Sequence, residues 1–320
     1  MPHPGQRGGS AKRPAAVNIR SSPVTPPCRS GAAWAQAVAV SPPEIFDRAA
    51  RRRRRDIVPR DYAGHAFLRE VMLDGLAERL DSVSRRFTDM LDLGCFDASL
   101  PAPPGARVAR CDAGFTFARA ARGVQADEDR LPFRDGSFDL VVSAGVLDQI
   151  GDLPGALTLA RRTLRPDGLF LGAFLGGSSL SVLRAAFRGA RPDRPAARIH
   201  PMIDLRSAGD LLTRAGFRLP VADVETVTVR YGGVGRLFED LRGMGASNLL
   251  IARTAITRGE LARVADAFAA AADPDGKTPE RFDIIFLTGW SPSPDQPRPA
   301  ARGSARASLA DALQRFPPAD

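Results

Sequence analysis

The sequence has few of the residues that hold metals or form disulfides. Its 320 residues include three histidines and three cysteines. No Cys-x-x-Cys pair occurs, and His3, His65 and His200 are too scattered to predict a metal site. We therefore expect no metal centre, no disulfide framework and a reducing compartment.

Long apolar runs and two common catalytic motifs are also missing. No apolar run approaches the roughly 20 residues that a membrane-spanning helix needs, so no membrane span is expected. The sequence contains neither a Walker phosphate-binding loop nor the Gly-x-Ser-x-Gly turn of many hydrolases. The sequence therefore gives no indication of a nucleotide-hydrolysing enzyme or of a serine hydrolase.

Acidic residues are absent from the first 43 positions. Residues 1–55 contain eleven basic and two acidic side chains, which accounts for the whole net charge of +9. The remainder is balanced, with 34 residues of each sign, so no nucleic-acid partner is expected. The Pro-, Ser-, Ala- and Arg-rich composition of residues 1–43 predicts a disordered N-terminal extension, with a mitochondrial transit peptide as the alternative.

Five consecutive arginines, Arg51–Arg55, follow this segment. One interpretation is a docking patch for an anionic partner, surface or nucleic acid. The other is a solvated stretch that leads into a helix, and the sequence favours this second interpretation.

What is present from residue 44 onwards is an alternation of strand and helix patterns. Helical spacing of apolar residues is followed by buried strand patterns, repeatedly, up to residue 175. Such alternation predicts an α/β domain with a mostly parallel sheet and helices on both faces. We expect this domain to span 44–290, with a surface tail at 291–320. The predicted strands are Thr88–Leu93, Val108–Cys111, Phe138–Ser143, Leu169–Phe174, Val224–Tyr231 and Phe282–Leu287.

Acids follow three of these strands. Asp92 and Gly94 end the first strand, Asp112 ends the second, and Asp127 precedes a Leu-Pro-Phe segment at 131–133. With the Ser-Phe-Asp-Leu-Val segment at 137–141, this arrangement resembles the class I S-adenosylmethionine (SAM) methyltransferases. The resemblance implies a Rossmann-like, seven-stranded fold whose cofactor half covers about 61–175 and whose substrate or partner half covers about 176–290.

The resemblance also implies the cofactor and its ligands. Asp92 would orient the loop and the methionine amine of SAM, and Gly94 would allow close approach of the backbone. Asp112 would accept the ribose hydroxyls and Asp127 the adenine amine. Glu128 and Ser143 complete the implied cofactor set. No metal ligand and no catalytic residue is assigned.

Phe96 departs from this pattern, because it stands where the second glycine of the loop belongs. A bulky residue forced to positive φ costs on the order of 1–3 kcal/mol, and its ring could occupy the ligand's volume. Pro101, Pro103 and Pro104 also limit the following helix to about one turn. Two alternatives remain: a shortened loop that still binds SAM, and a lost cofactor site.

The C-terminal half carries a more specific resemblance. Gly176-Gly177-Ser178-Ser179-Leu180 and the Met-Gly-Ala-Ser-Asn segment at 244–248 resemble the methyltransferase-fold arginine hydroxylases that act in assembly of respiratory complex I. Two departures from that family are Asp148-Gln149, where it has His-Trp, and Ser178, where it has Asp. The resemblance covers roughly residues 44–306.

This resemblance implies an enzyme that acts on a protein substrate, a complex I subunit, by methyl transfer or arginine hydroxylation. Arg184 and Asn248 would contact the substrate or partner, with a structural hydrogen-bonding role as the alternative for each. The alternative function is a non-catalytic assembly protein with a degenerate SAM site. The expected location is the bacterial cytoplasm, with the mitochondrial matrix as the alternative; the oligomeric state is not predicted.

Overall fold

The computed structural model describes residues 44–191, 197–296 and residue 308. The predicted N-terminal extension at 1–43 and most of the predicted tail lie outside the described residues. In the part that is described, no helix is both long and apolar enough to cross a bilayer. No group of three metal-ligating side chains is found among the same residues.

A single seven-stranded sheet forms the centre of the domain. Its strand order is β3-β2-β1-β4-β5-β7-β6, and β7 runs antiparallel to both of its neighbours. The neighbouring strands from β3 to β5 pair in parallel. The strands are β1 (Asp89–Leu93), β2 (Arg107–Asp112), β3 (Val124–Gln125), β4 (Phe138–Ala144), β5 (Leu164–Gly176), β6 (Arg218–Tyr231) and β7 (Thr278–Trp290).

Helices cover both faces of the sheet. Several begin at a side-chain cap, as sequence patterns of this kind predict: Asp152 accepts from the Gly155 amide and Asp204 from the Ser207 amide, both at 2.8 Å. The helices are α1 (Arg48–Ile57), α2 (Phe67–Asp81), α3 (Phe115–Ala120), α4 (Leu153–Thr163), α5 (Ser181–Ala190), α6 (Leu205–Arg214), α7 (Val234–Gly243) and α8 (Arg258–Ala269).

Alternate residues of the central strands point into two hydrophobic cores, one on each face of the sheet. In β5, Phe170 and Phe174 point into the core beneath α4 and α6, while Leu169 and Leu171 point into the core beneath α2, α5 and α8. Burial on both faces explains why these strands appear as continuous apolar runs in the sequence. The predicted α/β fold class is therefore confirmed.

Three local predictions need comment. β5 begins at Leu164, five residues before the predicted Leu169, and β6 begins at Arg218 rather than Val224. Both early segments contain breaks in register, at which a strand pattern is hard to recognise. Between β1 and β2 the chain forms no helix, as the prolines of that segment predict.

Candidate functional site

The acids predicted to bind a cofactor lie together at the carboxyl edge of the sheet. Asp92 and Asp112 stand at the ends of β1 and β2, and Asp127 and Glu128 follow β3. Ser143 is the penultimate residue of β4. All five side chains are buried. The structure therefore brings the predicted set together, and the question is what those side chains contact.

Helix α1 places a row of arginines against these acids. The four arginines follow the i, i+3, i+4, i+7 spacing that puts side chains on one face of a helix. The pairs are close, and most have the two-pronged geometry in which a guanidinium matches a carboxylate. We call these eight side chains the arginine ladder; its pairs are Arg48 with Asp129, Arg51 with Glu128, Arg52 with Asp127, and Arg55 with Asp112.

The ladder overturns the interpretation of Arg51–Arg55 as a solvated stretch. Arg51 is 4% exposed and Arg55 only 1%. Arg53 and Arg54 do face solvent. Sequence reasoning missed this arrangement, although two signals were present: arginines at helical spacing, and three consecutive acids at 127–129 that needed partners.

Asp112 has no hydrogen-bonding capacity left for a ligand. Its Oδ1 accepts from Arg55 Nε at 2.8 Å and from the Gly114 amide at 2.7 Å. Its Oδ2 accepts from Arg55 Nη2 and from the Phe96 amide, the latter at 3.0 Å. A carboxylate offers about four lone-pair sites, and all four are used here. The Arg55 charge and these donors hold the pKa of Asp112 below its usual value, against the effect of burial.

Phe96 fills the space beside Asp112. Its φ is 46°, so the residue lies in the left-handed region where the family has glycine. Its ring is 3% exposed and stacks on Tyr62, with 5.1 Å between ring centroids. The Arg55 guanidinium carbon lies 3.8 Å from the ring centroid and that of Arg69 lies 4.9 Å from it. These distances are those of cation–π contacts.

These residues do not fit SAM in the position that the resemblance implies. The acid for the ribose is saturated by Arg55, and the acid for the adenine is paired with Arg52. The void beside Phe96 measures about 40 Å³, whereas pockets for ligands of this size are on the order of 300–1,000 Å³. The nucleotide half of the implied site is therefore occupied by the chain itself.

The methionine half of that site contains buried polar groups that have no hydrogen-bond partner among the residues that the structure describes. Both carboxylate oxygens of Asp92 and the hydroxyl of Ser143 are buried without a hydrogen bond. The nearest cation is Arg110, whose Nε lies 3.9 Å from Asp92 Oδ2. Burial raises the pKa of Asp92 to about 6. Gly94 has a φ of 82°, and an added Cβ would lie 2.5 Å from Val146, so this position favours glycine; its contact with a cofactor stays a prediction.

We expect Asp92→Asn to stabilise the protein at pH 8 by about 1–2 kcal/mol, because it removes a buried charge that accepts no hydrogen bond among the described residues and lies 3.9 Å from its nearest cation. The folded pKa of Asp92 is above its unfolded value, so the folded state binds the proton more tightly. The charge therefore costs stability progressively as pH rises from about 4 to about 6. Urea titrations of both proteins at pH 4 and pH 8 measure the difference, which should be small at pH 4.

Asp139→Asn is the matched control, because Asp139 is also a buried strand aspartate. Its carboxylate accepts from the Thr88 and Asp89 amides and from the Thr88 hydroxyl. This substitution should destabilise the protein at pH 8 by about 1–3 kcal/mol. Destabilisation of similar size by Asp92→Asn would mean that Asp92 has a partner in solution.

A second, larger cavity of about 470 Å³ opens at the same edge of the sheet. Its walls are largely apolar, with Leu183, Phe187 and Phe238 among them. Among the residues that the structure describes, Asp148 is the one acid that lines it, and this partly buried side chain also borders the small void beside Phe96. Burial raises the pKa of Asp148 to about 7. The cavity thus combines apolar walls with one carboxyl group that titrates near neutral pH.

Arginines also line this cavity, but two of them are neutralised. Arg198 is paired with Glu260 through three hydrogen bonds, and Arg253 donates to Asp47 at 2.8 Å. Arg54 and Arg242 lie at the exposed rim. Neither of these two has a carboxylate within salt-bridge distance among the described residues.

The two predicted contact residues differ in their positions. Asn248 lines the cavity, yet its side chain is engaged by the backbone: its amide donates to the Ala197 carbonyl at 2.8 Å, and its oxygen accepts from the Leu250 amide. Arg184 does not line the cavity, and its guanidinium donates a hydrogen bond to the Ser179 carbonyl at 3.4 Å. The contact role therefore stays a prediction for both.

His200, which sequence analysis considered only as an unsuitable metal ligand, holds this segment in place. Its Nε2 accepts from the Leu249 amide at 3.0 Å, so this nitrogen carries no proton. Burial lowers the pKa of His200 to about 4. A neutral histidine thus anchors the end of the Met-Gly-Ala-Ser-Asn segment against the cavity wall.

Comparison with known proteins places this architecture in a family. A methyltransferase-domain family model matches residues 91–172. The arginine-hydroxylase NDUFAF5, mitochondrial, of Danio rerio is 35% identical over 83% of this chain and 89% of its own length. The Homo sapiens protein of the same name is 33% identical over 83% of each chain.

Two further matches carry methyltransferase names. The malonyl-[acyl-carrier protein] O-methyltransferase of Laribacter hongkongensis is 32% identical over 72% of this chain and 85% of that protein. A solved methyltransferase from Bacillus halodurans aligns with a TM-score of 0.49 and 15% identity, covering 68% of this chain and 99% of that chain. The family model and the sequence relatives confirm the predicted family resemblance and the methyltransferase-type enzyme class. The chain belongs to the family of methyltransferase-domain proteins that includes the arginine-hydroxylase NDUFAF5.

Proposed function

We propose that this chain is a protein-modifying enzyme of respiratory complex I assembly and that it acts on an arginine side chain by hydroxylation. In that reaction one atom of dioxygen would enter the side chain and the other would leave as water, with two electrons and two protons supplied by an external reductant. The observation that carries the proposal is the 470 Å³ cavity in which Asp148 is the one acid among the described lining residues. An arginine side chain has an apolar stem and a cationic end. The cavity offers the matching pair, apolar walls and one carboxylate.

The charges around the cavity are compatible with a cationic guest. Arg198 forms a salt bridge with Glu260, and Arg253 forms one with Asp47, so neither adds a free positive charge to the cavity. Arg54 and Arg242, at the rim, would attract acidic residues that flank the target arginine in its protein. The proposed substrate is therefore an arginine in an acidic segment of a complex I subunit.

The relatives support both the reaction and the compartment. The proteins of Danio rerio and Homo sapiens are named arginine-hydroxylases and mitochondrial. The mitochondrial matrix is accordingly preferred over the bacterial cytoplasm as the proposed location. Methyl transfer is the less favoured reaction, because the nucleotide half of the SAM site is filled by Arg55 and Phe96.

Expression of the chain in cells that lack their own family member tests this proposal. We expect restored complex I assembly, seen on native gels, and a complex I subunit whose arginine peptide is heavier by one oxygen atom in mass spectrometry. A peptide heavier by one methylene group would instead identify a methyltransferase. Restored assembly with an unmodified arginine would identify a non-catalytic assembly protein, and either result overturns the proposal.

A further inference from the structure

We propose that the arginine ladder replaces the cofactor, so that this chain folds with its nucleotide site permanently filled and binds no SAM. The inference goes beyond the proposed function, which names a reaction and a substrate. It rests on three observations about the nucleotide half of the site: a saturated ribose acid, an aromatic ring in the loop, and pairing of every neighbouring acid.

The first step concerns Asp112. In the family this acid would accept the ribose hydroxyls, but here Arg55 supplies two of its four hydrogen bonds. The Phe96 and Gly114 amides supply the other two. A ribose could bind only after Arg55 had left, and Arg55 is 1% exposed with no other acid as close as Asp112. Its guanidinium takes the role of the two ribose hydroxyls as a two-pronged donor.

The second step concerns the loop between β1 and β2. Phe96 holds a left-handed backbone that favours glycine, which is a local cost. The ring recovers stability by packing between two guanidinium groups, those of Arg55 and Arg69, and against Tyr62 and Phe117. The ring and the ladder therefore support each other, since Arg55 contacts both Asp112 and Phe96.

The third step concerns Asp127, Glu128 and Asp129, which line the expected adenine side. Each of these carboxylates accepts a hydrogen bond from at least one arginine of α1. An adenine amine would have to displace a full positive charge from Asp127. Arg52 is exposed and can move aside from Asp127, but opening the buried Arg55–Asp112 pair to admit SAM would weaken its binding by roughly 100-fold or more.

Calorimetric titration of the full-length wild-type chain with SAM and with S-adenosylhomocysteine tests the inference. We expect no binding up to millimolar ligand, no rise in melting temperature, and no nucleoside released from the purified protein on denaturation. Stoichiometric binding of either ligand, or a nucleoside that purifies with the chain, would overturn the inference.

Two variants then show which residues prevent SAM from binding. Phe96→Gly/Arg55→Ser removes the ring and frees Asp112, so we expect it to gain SAM binding and to be stabilised by SAM against heating. If this variant folds and still does not bind, neither the Phe96 ring nor Arg55 is what excludes SAM, and the inference is overturned. Phe96→Gly alone leaves Asp112 saturated and should not bind, and binding by it would assign the exclusion to the ring. If the double variant fails to fold, titrations of the wild-type chain and of Phe96→Gly with SAM still test whether the site excludes SAM.

Failure of this inference and failure of the proposed function are distinguishable. A wild-type chain that binds SAM and hydroxylates arginine would overturn the inference and leave the function. A chain that neither binds SAM nor modifies arginine would leave the inference and remove the function.

Discussion

Replacing Arg55 with alanine should lower the free energy of unfolding by about 3–5 kcal/mol, because it leaves a buried carboxylate without its counter-ion. Asp112 is fully buried and depends on Arg55 for two of its four hydrogen bonds. The same substitution removes the guanidinium that packs 3.8 Å above the Phe96 ring. In a domain of this size the loss corresponds to a fall in melting temperature of roughly 10 °C. Urea and thermal unfolding of the two proteins measure it.

Arg53→Ala and Arg54→Ala are the matched controls, since they make the same change in the same helix. Both side chains are exposed, and neither has a salt bridge among the described residues. Each control should change stability by no more than about 0.5 kcal/mol. Equal effects at positions 53, 54 and 55 would mean that α1 contributes through helix propensity and overall charge. Only an effect concentrated at Arg55 supports the ladder.

A double-mutant cycle isolates the pair itself. Asp112→Asn removes the charge but keeps the shape of the side chain, so the cost of Arg55→Ala should be clearly smaller in that background. A coupling free energy of about 0.5–3 kcal/mol is the range expected for residues in direct contact. Additive effects of the two substitutions would show that Arg55 and Asp112 do not depend on each other in solution.

The fold could be predicted from the sequence because its signals are local. A buried strand such as Phe138–Ala144 is a continuous apolar run, and each acid at a strand end is fixed by the strand that precedes it. The conflict at Phe96 could also be recognised from the sequence, because it depends only on the size of one side chain at one position of a loop. The positions of Asp92, Asp112 and Asp127 followed from the same reasoning.

The contents of the site could not be predicted in the same way. Whether a carboxylate is free or paired depends on a partner distant in sequence, and Arg55 lies 57 positions before Asp112. A run of five arginines gives no indication of which members face inwards until the helix and its packing are known. The cavity has the same character, because Asp148 and Phe238 come from distant parts of the chain.

Replacing Asp148 with asparagine should reduce arginine modification by roughly 10-fold to 100-fold, since hydrogen bonds to a charged group contribute about 1.5–3 kcal/mol. Asparagine keeps the shape of the side chain and removes a charge that burial disfavours, so the protein should be no less stable and the loss should appear as a raised KM. Modification of a subunit peptide, measured by mass spectrometry at increasing peptide concentration, separates KM from kcat. Asp135→Asn is the control, because Asp135 is an exposed acid that pairs with Arg162 and does not line the cavity.

The pH dependence gives this prediction a second, independent readout. In the free protein the pKa of Asp148 is about 7, so its carboxylate form increases as pH rises from about 6 to 8. Arg51 and Arg55 face the same group and favour that charged form. A guanidinium substrate needs the carboxylate, so its affinity for the wild-type chain should increase across this interval. The Asp148→Asn variant should lose that increase and keep a low, nearly constant affinity. An unchanged pH profile in the variant would mean that another group binds the substrate arginine.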